Sequence, residues 1–295
     1  MITRRSFLKT TSLASTGILM QPSFFKFDHK YTGLQLYTVR DAMQADAAGT
    51  LAKVAALGFN SVEGATYTGT QQFYGMSSSE FSALLKKNGL IMPSAHYRLG
   101  EEKQRGEDVK GTILHDWDKA VDDAAAVGIK YMVCAYLAEE ERLGADRYKN
   151  LSDQFNKAAE RCKKAGIQFC YHNHDFEFVE QNGKLPYDTL LQNTDKKLVQ
   201  MEIDLYWIYK AGHDPIALFN KYPGRFPLWH VKDMDKTAEK NFTEVGNGTI
   251  DFKKLFKLAD KAGLKYYFVE QDKTPGSPFD SIKMSIDYIR KTKLA

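Results

Sequence analysis

From Tyr31 onward the chain keeps returning to one pattern: an amphipathic stretch ending in Ala or Lys, one further residue, a glycine, then a short apolar run. It stands at Ala56-Leu57-Gly58-Phe59, Lys87-Asn88-Gly89-Leu90, Ala126-Val127-Gly128-Ile129, Lys164-Ala165-Gly166-Ile167 and Lys261-Ala262-Gly263-Leu264. A glycine so placed can take the left-handed conformation that stops a helix. The run after it is short and rich in β-formers, as a strand buried on both faces must be. Thr32 to Tyr37, Leu198 to Tyr206 and Phe226 to Val231 supply three more apolar runs, making eight predicted strands. Helix starts lie between them: Ser77-x-x-Glu80 has capping-box spacing before Phe81, and Asp251 precedes Leu255, Phe256 and Ala259.

Eight strands alternating with helices predict an α/β fold, a (βα)₈ TIM barrel forming one domain over residues 30–295. An open doubly wound sheet alternates in the same way, but no glycine-rich phosphate loop follows the first strand. The length of 295 residues suits one barrel of about 250 residues plus a leader.

Residues 1–29 read as that leader and a linker. Thr3-Arg4-Arg5-Ser6-Phe7-Leu8-Lys9 precedes a weakly apolar run from Leu13 to Met20, and no acidic residue occurs before Asp28. This is the pattern of a twin-arginine signal peptide, with export to the periplasm as the expectation.

Composition narrows the function. With 43% hydrophobic and 26% charged residues and no apolar run of membrane-spanning length, stable membrane insertion is not expected. The net charge of +4 is scattered, so no field is built for nucleic acid. Homo-oligomerisation is left open. Cys134, Cys162 and Cys170 read as small buried hydrophobes, not as a disulfide framework.

In a barrel the active site lies at the C-terminal ends of the strands. There this sequence places Gln35 and Tyr37, Glu63, His96, His172 with His174, Asp204, His230 with Lys232, and Glu270. Alternate strand residues share a face, so His172 and His174, Glu202 and Asp204, and His230 and Lys232 are expected to point inward as pairs. Burying so many ionisable groups uncompensated costs several kcal/mol per charge, roughly. One bound divalent cation accounts for the cluster; Mn²⁺ or Zn²⁺ is expected first and Co²⁺, Fe²⁺ or Mg²⁺ next, although ligand type alone does not choose among them.

These residues carry a resemblance over about residues 31 to 290. Ser61-Val62-Glu63, Tyr171-His172-Asn173-His174-Asp175-Phe176-Glu177-Phe178, Asp204-Leu205-Tyr206-Trp207, His230-Val231-Lys232-Asp233, Gly246-Asn247-Gly248-Thr249-Ile250-Asp251-Phe252 and Val269-Glu270-Gln271-Asp272 are together similar to the xylose-isomerase-like barrels, the sugar phosphate isomerase/epimerase superfamily. The Tyr-His-x-His segment also resembles inosose dehydratases. In the family's epimerases the metal is held by Glu, Asp, His and Glu on the fifth to eighth strands. The resemblance therefore implies Asp204, His230 and Glu270 as ligands, with His172 standing where the first Glu would be.

The activity so implied is proton abstraction α to the carbonyl of a keto-sugar or cyclitol, through an enediolate. Glu270 is the expected base as well as a ligand, and Lys232 an oxyanion stabiliser or proton shuttle unless it pairs with Glu202. Gln35, Glu63, His96, His174 and Trp207 are expected to bind the carbohydrate substrate. An isomerase or epimerase is the first reading. A hydro-lyase on a keto-sugar, such as a 3-keto-glucose derivative, competes with it because His172 removes one of the two opposed carboxylate bases. A non-catalytic sugar-binding barrel is a further alternative. An apurinic-site-type endonuclease shares the fold but needs more metal ligands than the seven histidines here provide.

Overall fold

The computed structural model describes residues 30–100, 109–144, 146–181 and 183–294. The leader lies outside them. Eight parallel strands close into a barrel: β1 (Gly33–Gln35), β2 (Ser61–Gly64), β3 (Ile91–Tyr97), β4 (Tyr131–Cys134), β5 (Gln168–His172), β6 (Val199–Asp204), β7 (Leu228–Val231) and β8 (Tyr266–Val269). Closure is made by β1 on β8, with Gly33 opposite Phe268 and Leu34 opposite Val269. All five helix-stop glycines have positive φ, from 67° at Gly89 to 103° at Gly58, so the repeated sequence pattern is one repeated turn geometry.

Each strand divides its side chains by parity. Phe169 and Tyr171, or Trp229 and Val231, belong to the large core between sheet and helices. Inside the barrel Val133, Cys170, Leu228 and Phe268 form a small separate apolar cluster, with Tyr131 and Tyr266 packed against it. One step of two residues further along each of β5, β7 and β8 come His172, His230 and Glu270. An apolar plug thus underlies a polar mouth. The three cysteines are free and buried, as their apolar setting implied. Among the described residues no helix is long and apolar enough to cross a membrane.

Two predicted elements are shorter than their apolar runs. β1 ends at Gln35, because its side chain accepts the Tyr37 N–H at 3.0 Å and turns Leu36–Val39 into a 3₁₀ helix. β6 ends at Asp204, whose Oδ1 accepts the Trp207 N–H at 3.0 Å and caps the helix Leu205–Lys210. The Ser77 capping box is present, with Glu80 returning a bond to the Ser77 N–H. Asp251 caps as expected, but the stretch behind it is two short helices, Phe252–Phe256 and Ala259–Ala262.

Candidate active site

Strand pairing fixes the floor of the mouth. His172 lies opposite Glu202 across β5 and β6, and Asp204 lies opposite His230 across β6 and β7. Glu63, Glu202, Asp204 and His230 are fully buried, and His172, Lys232 and Glu270 nearly so. Above this floor opens a cavity of about 630 Å³, lined among others by His96, His172, His174, Glu270 and Asp272.

Each of two histidines is clamped from below by a carboxylate. His172 Nδ1 stands 3.0 Å from Glu202 Oε2, which leaves its Nε2 facing Asp204 Oδ2 at 3.7 Å. His230 Nε2 stands 2.5 Å from Glu63 Oε2, which leaves its Nδ1 2.8 Å from Glu270 Oε2 and 3.9 Å from Asp204 Oδ2. Behind His172, which burial holds below the ordinary imidazole range, the carboxylate selects the tautomer whose other nitrogen carries the free lone pair, the arrangement that supports metal-binding histidines. His230 has a carboxylate on each nitrogen, and Glu202, Glu270 and Glu63 outweigh burial and hold it above that range, so a cation would have to displace a proton there. Asp204 is oriented as well: its Oδ1 is spent on the helix cap, so Oδ2 is the atom that faces the site.

The donor set fits a divalent cation. Four buried carboxylates (Glu63, Glu202, Asp204 and Glu270) crowd the floor, and only Asp204 and Glu270 reach the one lysine, Lys232, which also holds Asp272, so the remaining negative charge is left for histidine protons or a metal to balance. Asp204, His230 and Glu270 present ligand atoms within 4.8 Å of one another, and His96, His172, Glu202 and His230 form a second such group that shares His230. Glu63 Oε1, Glu202 Oε1 and His174 Nδ1 are buried without a hydrogen-bond partner, and Asp204 Oδ2 has no aligned donor although the Lys232 ammonium is 3.0 Å away. Buried polar atoms in such number call for a ligand.

Lys232 does not pair with Glu202, the partner considered from sequence. Its ammonium lies 3.0 Å from Asp204 Oδ2, 2.5 Å from Glu270 Oε2 and 2.8 Å from Asp272 Oδ2. The β-strand parity that put Lys232 beside His230 also turns it toward β8, and Glu202 is taken up by His96 and His172.

Burial opposes ionisation throughout, and the neighbours decide the outcome. Burial raises the Glu270 carboxyl, but Lys232 and His230 outweigh it and hold the group well below the usual carboxylate range. Burial pushes Asp204 up to about 6, and burial together with Glu63 pushes Glu202 up to about 7. His96 resists burial through Glu63 and Glu202 and rises to about 9, while burial takes His174 down to about 3.

Of the expected sugar-binding residues, His96 and His174 line the cavity. Gln35 and Glu63 lie beneath the floor, bonded to each other at 2.8 Å and fully buried, because Glu63 is committed to His230. Trp207 packs on His174 with ring centres 5.4 Å apart and has the Lys232 ammonium 5.7 Å from its own. Sequence reasoning gave no role to Asp272. Asp272 stands beyond the end of β8, where strand parity no longer assigns a face, and only the fold shows its Oδ2 2.8 Å from the Lys232 ammonium.

Glu177 is buried just past β5, where it accepts the Tyr171 hydroxyl and, at 2.8 Å, the His174 backbone N–H. It supports the loop that carries His174. Burial raises its carboxyl from 4.5 to about 7 despite those donors. Below 4.5 both folded and unfolded chains hold the proton; between 4.5 and about 7 only the folded chain does, so stability is lost as pH rises through that window. Replacing Glu177 by Gln should therefore raise stability relative to the parent by about 3 kcal/mol between about pH 4 and pH 8. Urea denaturation at the two pH values reads this, and a difference independent of pH would exclude it.

The chain is 29% identical over 175 residues to an inosose dehydratase of Clostridium beijerinckii, a match covering 53% of this chain and 56% of that protein. It thus spans about half the length of the curated relatives it matches. A solved structure of a sugar phosphate isomerase/epimerase from Parabacteroides distasonis superposes with a TM-score of 0.75 at 29% identity, over 90% of this chain and 95% of that one. The IOLI protein, solved with a zinc atom, shares the fold at a TM-score of 0.65 and 14% identity, over 90% of this chain and 96% of that one. A family model described as xylose isomerase-like TIM barrel matches residues 51–292, and the chain belongs to that family.

Proposed function

We propose that the protein is a metal-dependent enzyme that removes a proton α to the carbonyl of a keto-sugar or keto-cyclitol. The observation that carries this reading is the pair of carboxylate–histidine couples, Glu202–His172 and Glu63–His230, both aimed at Asp204 and Glu270 on the cavity floor. On this reading His172, Asp204, His230 and Glu270 would hold one divalent cation, for which Mn²⁺ and Zn²⁺ are the first candidates. When bound, it polarises the substrate carbonyl and makes the neighbouring C–H more acidic.

Glu270 lines the cavity, and Lys232 and His230 keep it ionised, so it is available to accept that proton. Lys232 keeps Asp272 as a partner when Asp204 and Glu270 serve as ligands, and its ammonium stays next to Glu270, where it can meet negative charge that develops beside the base. His96 and His174 are the imidazoles that meet substrate hydroxyls.

Two net reactions share this step. Isomerisation or epimerisation returns the proton to carbon. Elimination or addition of water is favoured as the second reading by the imidazole of His172, which is no carboxylate base, and by the inosose dehydratase relatives. Incubating metal-loaded protein with keto-sugars and keto-cyclitols in D₂O tests both: deuterium should enter at the α-carbon, and product mass should be conserved for an isomerase or change by one water for a hydro-lyase. Binding of sugars with no α-exchange on any of them would leave a binding protein instead.

The twin-arginine reading of the leader supports action outside the cytoplasm. Replacing both Arg4 and Arg5 by Lys should retain a tagged chain in the cytoplasm; unchanged export on cell fractionation would remove that reading.

A further inference from the structure

Six large apolar side chains are exposed among the described residues, and two of them, Tyr37 at 42% and Tyr136 at 46%, are aromatic. Both line the one cavity that opens above His172 and Glu270. They reach it from different sides: Tyr37 follows β1 and Tyr136 follows β4, three strands away around the barrel. An isolated exposed tyrosine needs no explanation, but two on the rim of one polar-floored cavity do.

Neither ring is loose. The Arg40 guanidinium lies 4.3 Å from the Tyr37 ring centre and is itself anchored on the Tyr37 carbonyl at 2.9 Å and the Asp272 carbonyl at 3.3 Å. Tyr136 meets His174 and Phe176 edge to face, with ring centres 5.2 and 5.9 Å apart, while Arg142 covers Phe176 at 3.8 Å. Rings fixed before a ligand arrives lose little freedom on binding, which is what makes an aromatic a good platform. The floor and the rim are also chemically different. The floor holds the ionisable groups suited to a carbonyl and its hydroxyls, while Tyr37 and Tyr136 add aromatic surface to a lining that also carries Thr66, Thr68 and Arg98.

We infer that the outer half of the cavity, walled by Tyr37 and Tyr136, is a subsite for a second ring, so that the substrate is a glycoside of the reacting sugar and not a free monosaccharide. The inference rests on the carbohydrate reading above for the occupant of the floor. The second ring is either another sugar or an aromatic aglycone, and the two share an apolar face that stacks on tyrosine.

Titration calorimetry on metal-loaded full-length protein tests this without turnover, using methyl β-D-glucoside, cellobiose and 4-nitrophenyl β-D-glucoside as probes. The two-ring probes should bind about tenfold more tightly than the methyl glycoside. A preference for cellobiose alone identifies a sugar as the second ring, and a preference for the nitrophenyl glycoside alone identifies an aromatic aglycone. Tyr136→Ala should collapse the preference toward unity and Tyr136→Phe should preserve it, since the ring and not the hydroxyl supplies the platform. Equal affinity for all three probes, no saturable binding of any, or a preference that survives Tyr136→Ala would overturn the subsite. A two-ring preference without α-proton exchange leaves the subsite standing and removes the proposed reaction; exchange without the preference does the reverse.

Discussion

On the proposed reaction, Glu270→Gln and chelation of the proposed cation should each lower α-proton exchange on a keto-sugar by about a thousandfold or more. The two losses have different origins. Glutamine has nearly the shape of Glu270 but cannot accept the proton, and it also weakens one ligand position. The His230 Nδ1 and Lys232 ammonium that now share its charge would face a neutral amide. Chelation leaves the base in place and takes away the polarisation that makes the C–H acidic. Restoring Mn²⁺ or Zn²⁺ should therefore rescue the chelated protein and not the variant. Exchange that persists within tenfold in Glu270→Gln would move the base to another residue.

The barrel was legible because its repeating unit is short and punctuated: five glycines at helix ends announce five strands, and each has the positive φ that its position implied. The inward set was legible for the same local reason. Parity along a strand needs no tertiary knowledge: it set Asp204, His230 and Glu270 in one group of facing ligand atoms, while His172 belongs to an adjoining group with His96 and Glu202 that shares His230.

Partner choice across strands was not legible. Whether Lys232 meets Glu202 or Asp272 depends on the register and twist between β6, β7 and β8, which no single segment encodes. Depth was hidden too. Gln35 and Glu63 occupy strand ends like His96, yet the strands are staggered around the barrel, so the former pair sits below the floor and His96 reaches the cavity. Glu202 lies deep as well, where its Oε2 meets both His172 and His96.

Asp233→Ala should be among the most destabilising single substitutions in the chain, although Asp233 makes no contact with the floor residues His172 or Glu270. Its carboxylate is buried and accepts four backbone N–H groups: Met234 at 2.8 Å and Ile250 at 3.0 Å on Oδ1, Gly246 at 2.9 Å and Gly248 at 3.0 Å on Oδ2. The His230-Val231-Lys232-Asp233 and Gly246-Asn247-Gly248 segments, separate motifs in the sequence, are thus two halves of one device that folds the loop after β7 around a buried charge. Gly248 is required by the closeness of that wrap, since a Cβ there would stand 2.3 Å from Asp233 Oδ1 and equally close to the Met234 carbonyl. Removing the carboxylate orphans four donors at about 1–3 kcal/mol each, part of which local water entry recovers. A net loss of about 4 kcal/mol is expected, or roughly 10 °C in melting temperature for a domain of this size. Asparagine should restore only part of it, because its amide nitrogen would face two N–H groups that need an acceptor. A melting-temperature change under about 3 °C in Asp233→Ala would mean that the loop finds other partners for its N–H groups and that the buried carboxylate is not what holds it.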